Sequence, residues 1–366
     1  MVGRLAMKRI LFVAAHRPNR SPSQRFRFEQ YIKYLEENGY HCHQSFIIKE
    51  HYEKRFYNPG NFTHKAYIFL RSFVKRLWEV VRYFNYDIIF VQREAFMTGT
   101  TIFEYLYTKT NAKLVFDFDD SIWIHDVSDA NKKLGWLKNP DKTSKIIELS
   151  DLVFAGNEYL ADYARRFNKN VVIIPTTIDT NEYKNLHLNN HPSICIGWSG
   201  SMTTIKHFEY AIPFLLEIKK KYGDKVSFKV IGDASYRNEA LGITGIAWNK
   251  EEEIKELSTF DIGIMPLPHD EWAKGKCGLK GLQYMALEIS TIMSPVGVNT
   301  EIIKDGVNGF LAETNEEWIN KLSLLIDSLD LRLQMGREGR RTVEKSYSVE
   351  SQKENYLRYF NELIKR

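Results

Sequence analysis

Apolar positions along the chain fall into short runs divided by polar loops. Between the runs lie stretches where apolar residues return every three or four positions. The first run, 9–15, is β-rich and ends in a polar loop, after which a helical pattern extends over about 22–38 and Gly39 closes it. Runs at 86–92, 113–118, 152–155 and 171–174 predict further strands, with helix-like stretches up to about Thr110 and over 158–167. A loop rich in Asn and Thr covers 175–192, and then the pattern begins again. Strands are predicted at 193–198, 226–231, 260–265 and 291–293, helices at about 207–222, 250–257 and 278–286, and a last helix over 348–365. Strands alternating with helices call for an α/β protein with parallel, doubly wound sheets covered on both faces. At 366 residues the chain suits two domains, each with its own core. We expect a first domain over 1–185, a second over 186–345, and a helix at 346–366 packing back on the first.

Composition narrows the class. With 43% hydrophobic and 27% charged residues the chain is globular in type. Its apolar runs are strand-sized, well short of the roughly 20 residues of a spanning helix, and its first residues lack the apolar stretch of a signal peptide. These features predict a cytoplasmic protein. Cys42, Cys195 and Cys277 are too few and too scattered for a disulfide framework or a zinc site. The formal charge of +5 is uneven: residues 1–185 hold 28 basic and 21 acidic side chains, about +7, leaving about −2 for the rest. Within 52–86, basic residues alternate with aromatic ones, a mixture suited to peripheral contact with an anionic membrane or, equally, to a solvated helix with its aromatics turned to the core. No nucleic-acid motif accompanies the charge.

Two stretches carry anion chemistry. Gly200-Ser-Met-Thr-Thr-Ile-Lys206 follows a strand and precedes a helix, so its amides can approach a phosphate while Lys206 adds charge. In the second, 274–286, Gly275 and Gly278 open a helix beside Lys276 and Lys280. Two such helix starts in one domain suit a diphosphate.

At these residues the chain resembles the retaining glycosyltransferases of the GT-B fold, in the large family-four group. The resemblance covers nearly the whole chain and rests on Asp151-Leu-Val with Gly156-Asn-Glu-Tyr-Leu160, Ile174-Pro-Thr-Thr-Ile-Asp179, the loop ending in Lys206, Val230-Ile-Gly-Asp233, Phe260-Asp-Ile-Gly-Ile-Met-Pro266, Leu282-Gln-Tyr-Met-Ala286, and Pro295 to Ile303 leading to Asp305-Gly-Val-Asn-Gly309. It implies two Rossmann-like domains with an interdomain cleft, and transfer of a sugar from a nucleoside diphosphate donor to a saccharide or lipid-linked acceptor with retention. It further implies no cofactor beyond the nucleotide sugar, no metal, and a place in surface polysaccharide synthesis. By the resemblance, Gly200, Ser201, Lys206, Gly232, Asp233, Lys276, Gly278, Leu279, Lys280 and Gln283 bind the donor, with Lys206 and Lys280 catalytic through the leaving phosphate. Ser201 stands where the family has an arginine. Of the family's two glutamates, the one on the ribose falls on Gln283 and the one on the sugar falls on Gly275.

In the first domain Asp119, within Asp117-Phe-Asp-Asp120, stands where many members place a histidine near the donor sugar, and a carboxylate there can stabilise charge at the anomeric carbon. His16, Arg25, Arg27 and Glu94 follow first-domain strands and are candidates for the acceptor side. Two rival readings remain. Asp117 and Asp119 form the metal-binding Asp-x-Asp of the other glycosyltransferase fold, or the departures at Ser201, Gly275 and Gln283 mark a non-catalytic nucleotide-sugar-binding or scaffolding subunit.

Overall fold

A computed structural model describes residues 7–57, 60–82, 85–124, 139, 141–186, 188 and 192–365. The chain forms two units, Met1–Pro175 with Lys353–Arg366, and Thr176–Gln352.

The first unit is built on β1 (Lys8–His16), β2 (Tyr40–Ile48), β3 (Ile88–Gln92), β4 (Lys113–Phe118), β5 (Leu152–Ala155) and β6 (Val171–Ile173), in the order β2-β1-β3-β4-β5-β6 with every pair parallel. β3 is buried along its whole length, which is why 88–91 reads as an unbroken apolar run, with only the terminal Gln92 polar. β2 does not appear in the sequence pattern. It is an edge strand with one neighbour, and polar residues such as His41, His43 and Gln44 occupy its part-exposed positions. Aromatic rings fill the core: Phe12 stacks on Phe28 at 4.9 Å between centroids, and Phe90 leans on both. The helix Val349–Lys365 adds Tyr356, Phe360 and Leu363 to this core, with Phe360 stacked on Phe154 at 5.9 Å and Tyr356 on Tyr31 at 4.1 Å. Those contacts place the last fourteen residues of the chain in the first unit.

The boundary falls at Pro175/Thr176, ten residues before the expected one. Chain 176–185 is tied to the second unit instead. Ile178 bridges Ser348 in parallel, and the Arg340 guanidinium donates to the carbonyls of Thr180, Tyr183 and Ala286.

The second unit carries β7 (Ile194–Ser199), β8 (Val226–Gly232), a small antiparallel pair of β9 (Arg237–Asn238) and β10 (Ile243–Thr244), then β11 (Ile246–Ala247), β12 (Ile262–Met265), β13 (Ser290–Met293) and β14 (Phe310–Leu311). Its main sheet runs β11-β8-β7-β12-β13-β14, again all parallel. The two-residue strands β11 and β14 are too short to show a period and escape a sequence reading. Trp198, Phe208 and Phe214 lie in its core, Phe214 stacked on Trp318 at 4.6 Å.

One buried ion pair fixes the centre of the first unit. Arg27 and Asp117 have fully buried side chains, and Arg27 Nε lies 3.1 and 3.3 Å from the two carboxylate oxygens. The guanidinium also donates to the Ile174 carbonyl, and the Tyr356 hydroxyl donates to the Arg27 carbonyl. Four segments distant in sequence thus meet at one residue, Arg27. Burial pushes the Asp117 carboxyl up, and only Arg27 opposes it strongly. Arg27→Leu strands a buried carboxylate. It is expected to lower the stability of the first unit by about 3–5 kcal/mol, read from denaturant unfolding of the full chain; a loss under 1 kcal/mol would show that the pair is not the anchor.

Candidate functional site

In an open parallel sheet, ligands bind outside the carboxyl ends of the strands where the strand order reverses. The second sheet reverses between β7 and β12, and β7 ends at Ser199, directly before the loop singled out in the sequence. Here the chain makes a close backbone crossing. Gly232, at the end of β8, has φ +132°, and a Cβ on it would lie 2.3 Å from the Gly200 carbonyl oxygen. A Cβ on Gly200 would in turn lie 2.1 Å from the Trp198 ring. Only glycine fits at either position.

Ser201 is the N-cap of the short turn Met202–Thr204, its hydroxyl 3.0 Å from Thr203 Oγ1 and 3.2 Å from Thr204 Oγ1. Ser201 therefore serves the loop's own geometry at the position where the family places a cation. Lys206 is exposed one turn later, on the helix Ile205–Glu209. Asp233 holds the next loop, accepting from Ser235 N at 2.8 Å and Ser235 Oγ at 2.6 Å.

The second anion-friendly start also forms. Gly278 caps the helix Leu279–Ala286 in the left-handed region, φ +69°, and the amides of Leu279, Lys280 and Gly281 open that helix without intrahelical acceptors. Lys280 Nζ lies 5.5 Å above the Trp198 ring, bringing this helix to the end of β7, while Lys276 Nζ lies 4.9 Å above Trp272. Gly275 is buried at the C-terminus of the helix Glu271–Lys274.

Gln283 is also buried, and its amide belongs to a network the sequence gave no sign of. Its Nε2 donates to the Tyr183 hydroxyl at 3.0 Å and to Glu253 Oε1 at 3.3 Å. Tyr183 donates to Glu253 Oε2 at 2.6 Å and Trp248 Nε1 to Glu253 Oε1 at 2.8 Å. Tyr284 is a second residue missed from sequence. Its buried hydroxyl accepts from Ser199 N at 2.8 Å and lies 3.0 Å from Ser199 Oγ, pinning the end of β7 just before Gly200. Burial pushes this phenol up, so it stays protonated. A separate pocket of about 330 Å³, lined by Tyr210, Phe214, His269, Glu313 and Trp318 among others, contains none of the expected donor residues.

The first sheet reverses between β1 and β3, and His16 ends β1. Gln24 brackets the His16 backbone with two 2.9 Å hydrogen bonds. Burial, with Arg20 next, lowers the His16 imidazole to about 4, so it is neutral at pH 7. Asp119 accepts from Arg93 Nε at 2.8 Å, and Asp120 lies 3.7 Å from Arg93 Nη2. Arg93 follows β3 in the left-handed region, φ +62°. It is the cation beside Asp119 and Asp120, and the sequence reading passed over it. Glu94 pairs with Lys142 at 2.5 Å. Arg25 is buried with its guanidinium 4.8 Å from the Phe26 ring. Arg27, expected on the acceptor side, is turned inward to Asp117 because only a buried cation offsets that carboxylate. The same pair occupies the first acid of the Asp-x-Asp reading.

Residues 193–328 match the family of glycosyl transferases group 1, which identifies this segment as a domain of that family. The fold of the whole chain is that of GT-B glycosyltransferases. A glycosyltransferase from Rickettsia africae ESF-5 is similar over 99% of this chain and 100% of its own, with TM-score 0.70 and 16% identity. Sucrose-phosphate synthase from Thermosynechococcus elongatus is similar over 97% and 99%, with TM-score 0.68 and 12% identity. Anabaena HepE, solved in complex with UDP and glucose, is similar over 97% and 100%, with TM-score 0.68 and 13% identity. Among curated proteins no sequence matches.

Tyr284→Phe leaves the buried Ser199 amide without its acceptor. The expected loss of stability is about 1–3 kcal/mol, measured by denaturant unfolding, and an unchanged midpoint would show that the hydroxyl does not hold the loop.

Proposed function

We propose that the chain transfers a sugar from a nucleoside diphosphate donor to a saccharide or lipid-linked acceptor, with retention and without a metal, in surface polysaccharide synthesis. The observation that carries the donor half is the locked Gly200–Gly232 crossing at the strand reversal of the second sheet, with a second open helix start at Gly278. The family match of residues 193–328 and the likeness to HepE, solved with UDP and glucose, support it. Departure of the diphosphate is the costly step, so positive charge set in advance at Lys206 and Lys280 supplies the main stabilisation. The leaving phosphate oxygen takes the acceptor's proton. The role of carboxylate for the developing cation is assigned to Asp119, which follows β4 and is held by Arg93. Lys206→Ala and Lys280→Ala are each expected to lower kcat/KM by about 100-fold, assayed with whichever nucleotide sugar raises the melting midpoint of the wild type. Activity within a few-fold of wild type in both would remove the phosphate assignment.

A membrane-bound acceptor is favoured by one surface. On the helix Phe62–Arg82 the side chains of Tyr67, Leu70, Val74, Leu77, Trp78 and Val81 are all exposed, and their spacing puts them on a single face. Arg71 and Lys75, both half-buried, border that face, while the helix's sole carboxylate, Glu79, is buried against Arg76 at 2.7 Å with Lys75 Nζ 3.4 Å away. An apolar stripe with a cationic border and no exposed acid suits the surface of an anionic bilayer. The basic-aromatic stretch therefore divides. Lys65 and Arg76 are buried, Phe69 and Phe73 pack on Phe96, and Tyr67 and Trp78 are exposed. Among the described residues no helix is long and apolar enough to cross a membrane, so the contact is peripheral. The wild type is expected to float with phosphatidylglycerol vesicles at low salt, and Leu70→Ser/Trp78→Ser to lose about tenfold in partitioning. Failure of the wild type to float would exclude this surface.

A further inference from the structure

The buried network around Gln283 assigns a role to a residue that belongs to none of the motifs. Glu253 begins the helix Glu253–Leu257 and is buried, and its carboxylate can only accept. Three donors converge on it, from Trp248, Tyr183 and Gln283. Because the Tyr183 proton is directed to Glu253 Oε2, the Tyr183 oxygen is available to Gln283 only as an acceptor. Both neighbours of the Gln283 amide therefore demand its NH2 group. With the nitrogen so fixed, Oε1 points the other way. It accepts nothing from the described residues and is not among the polar atoms sealed from solvent. Lys280 lies three residues before Gln283 on the same helix, hence on the same face, and its ammonium lies over Trp198 near the end of β7.

We propose that Glu253 is the positioning residue of this site: through Gln283 it turns an amide oxygen, and never the amide nitrogen, toward a ligand hydroxyl, selecting nucleotides with an intact ribose diol. This rests on the nucleoside diphosphate reading above. The negative charge of the site is held at position 253, one step behind the contact, and position 283 is neutral for that reason. A glutamate at 283 would face the Glu253 carboxylate across about the 3.3 Å now spanned by a hydrogen bond. Two carboxylates so close cannot both ionise at ordinary cost, and one is driven to a raised pKa.

Two measurements test this on the full chain. In the first, without ligand, the melting midpoint of Gln283→Glu is followed from pH 4.5 to 8. An acid whose folded pKa is raised above its unfolded value destabilises progressively as pH climbs through that interval. The deficit against wild type should therefore widen with pH, and Glu253→Gln/Gln283→Glu should abolish the widening. A deficit independent of pH would overturn the facing of the two side chains. In the second, dissociation constants are measured for UDP, GDP and ADP, each beside its 2′,3′-dideoxy form, with inorganic pyrophosphate as the control for phosphate binding. For whichever nucleotide binds, the wild type should prefer the ribose form by about tenfold, one hydroxyl hydrogen bond. Glu253→Gln frees the amide to flip and should reduce the preference to under about threefold, with pyrophosphate binding unchanged. The double variant should restore the preference, because a carboxylate at 283 accepts whichever way it turns. Preference retained in Glu253→Gln, or not restored in the double variant, would overturn the positioning role while leaving the nucleotide site standing. If none of the three nucleotides binds the wild type, the nucleotide reading and this role both fall.

Discussion

Parallel pairing is the constraint on which the rest of this protein depends. Every strand pair in both six-stranded sheets is parallel. Each connection must therefore cross back over a face of the sheet, and all strand carboxyl ends open on one edge. In the second unit that edge collects the Gly200 loop, Gly232 and the Pro266 turn. In the first it collects His16, Arg93 and Asp119. Residues far apart in sequence share a site because the sheet delivers them to the same end.

The two units use their charges differently. In the first, Arg27 and Arg76 are buried and each holds an acid together with backbone carbonyls, so part of the basic excess is structural. Those cations join segments distant in sequence, and they are strongly sensitive to loss of one partner. Arg71 and Lys75, both half-buried, lie instead at the border of an uncovered apolar stripe, where long-range attraction and apolar burial can act together.

In the second unit precision comes from close approach and hydrogen bonding. Gly232 admits the Gly200 carbonyl, Tyr284 pins Ser199, and Glu253 collects three donors. Departures from the family pattern gain a physical account here. Ser201 caps its own turn, and Gln283 answers an acid that another segment supplies. No such account emerges for Gly275, which is buried with an ordinary backbone conformation.

Most long strands were legible in the sequence because a strand buried on both faces is mainly apolar, as β5 is throughout and β3 is up to its last residue, Gln92. The glycine-rich turns were legible because backbone approach leaves no room for a side chain, a local demand that local sequence records. β2, β11 and β14 were not, since a polar edge strand or a two-residue strand carries no period of its own. The inward turn of Arg27, the ion pair of Arg93 with Asp119, and the meeting of residues 183, 248, 253 and 283 depend on which segments the fold brings together. A side chain's type fixes what it can bond, and the sequence determines that alone. Which partner it meets, and whether water remains beside it, is set by packing between distant segments, and only the tertiary structure decides it.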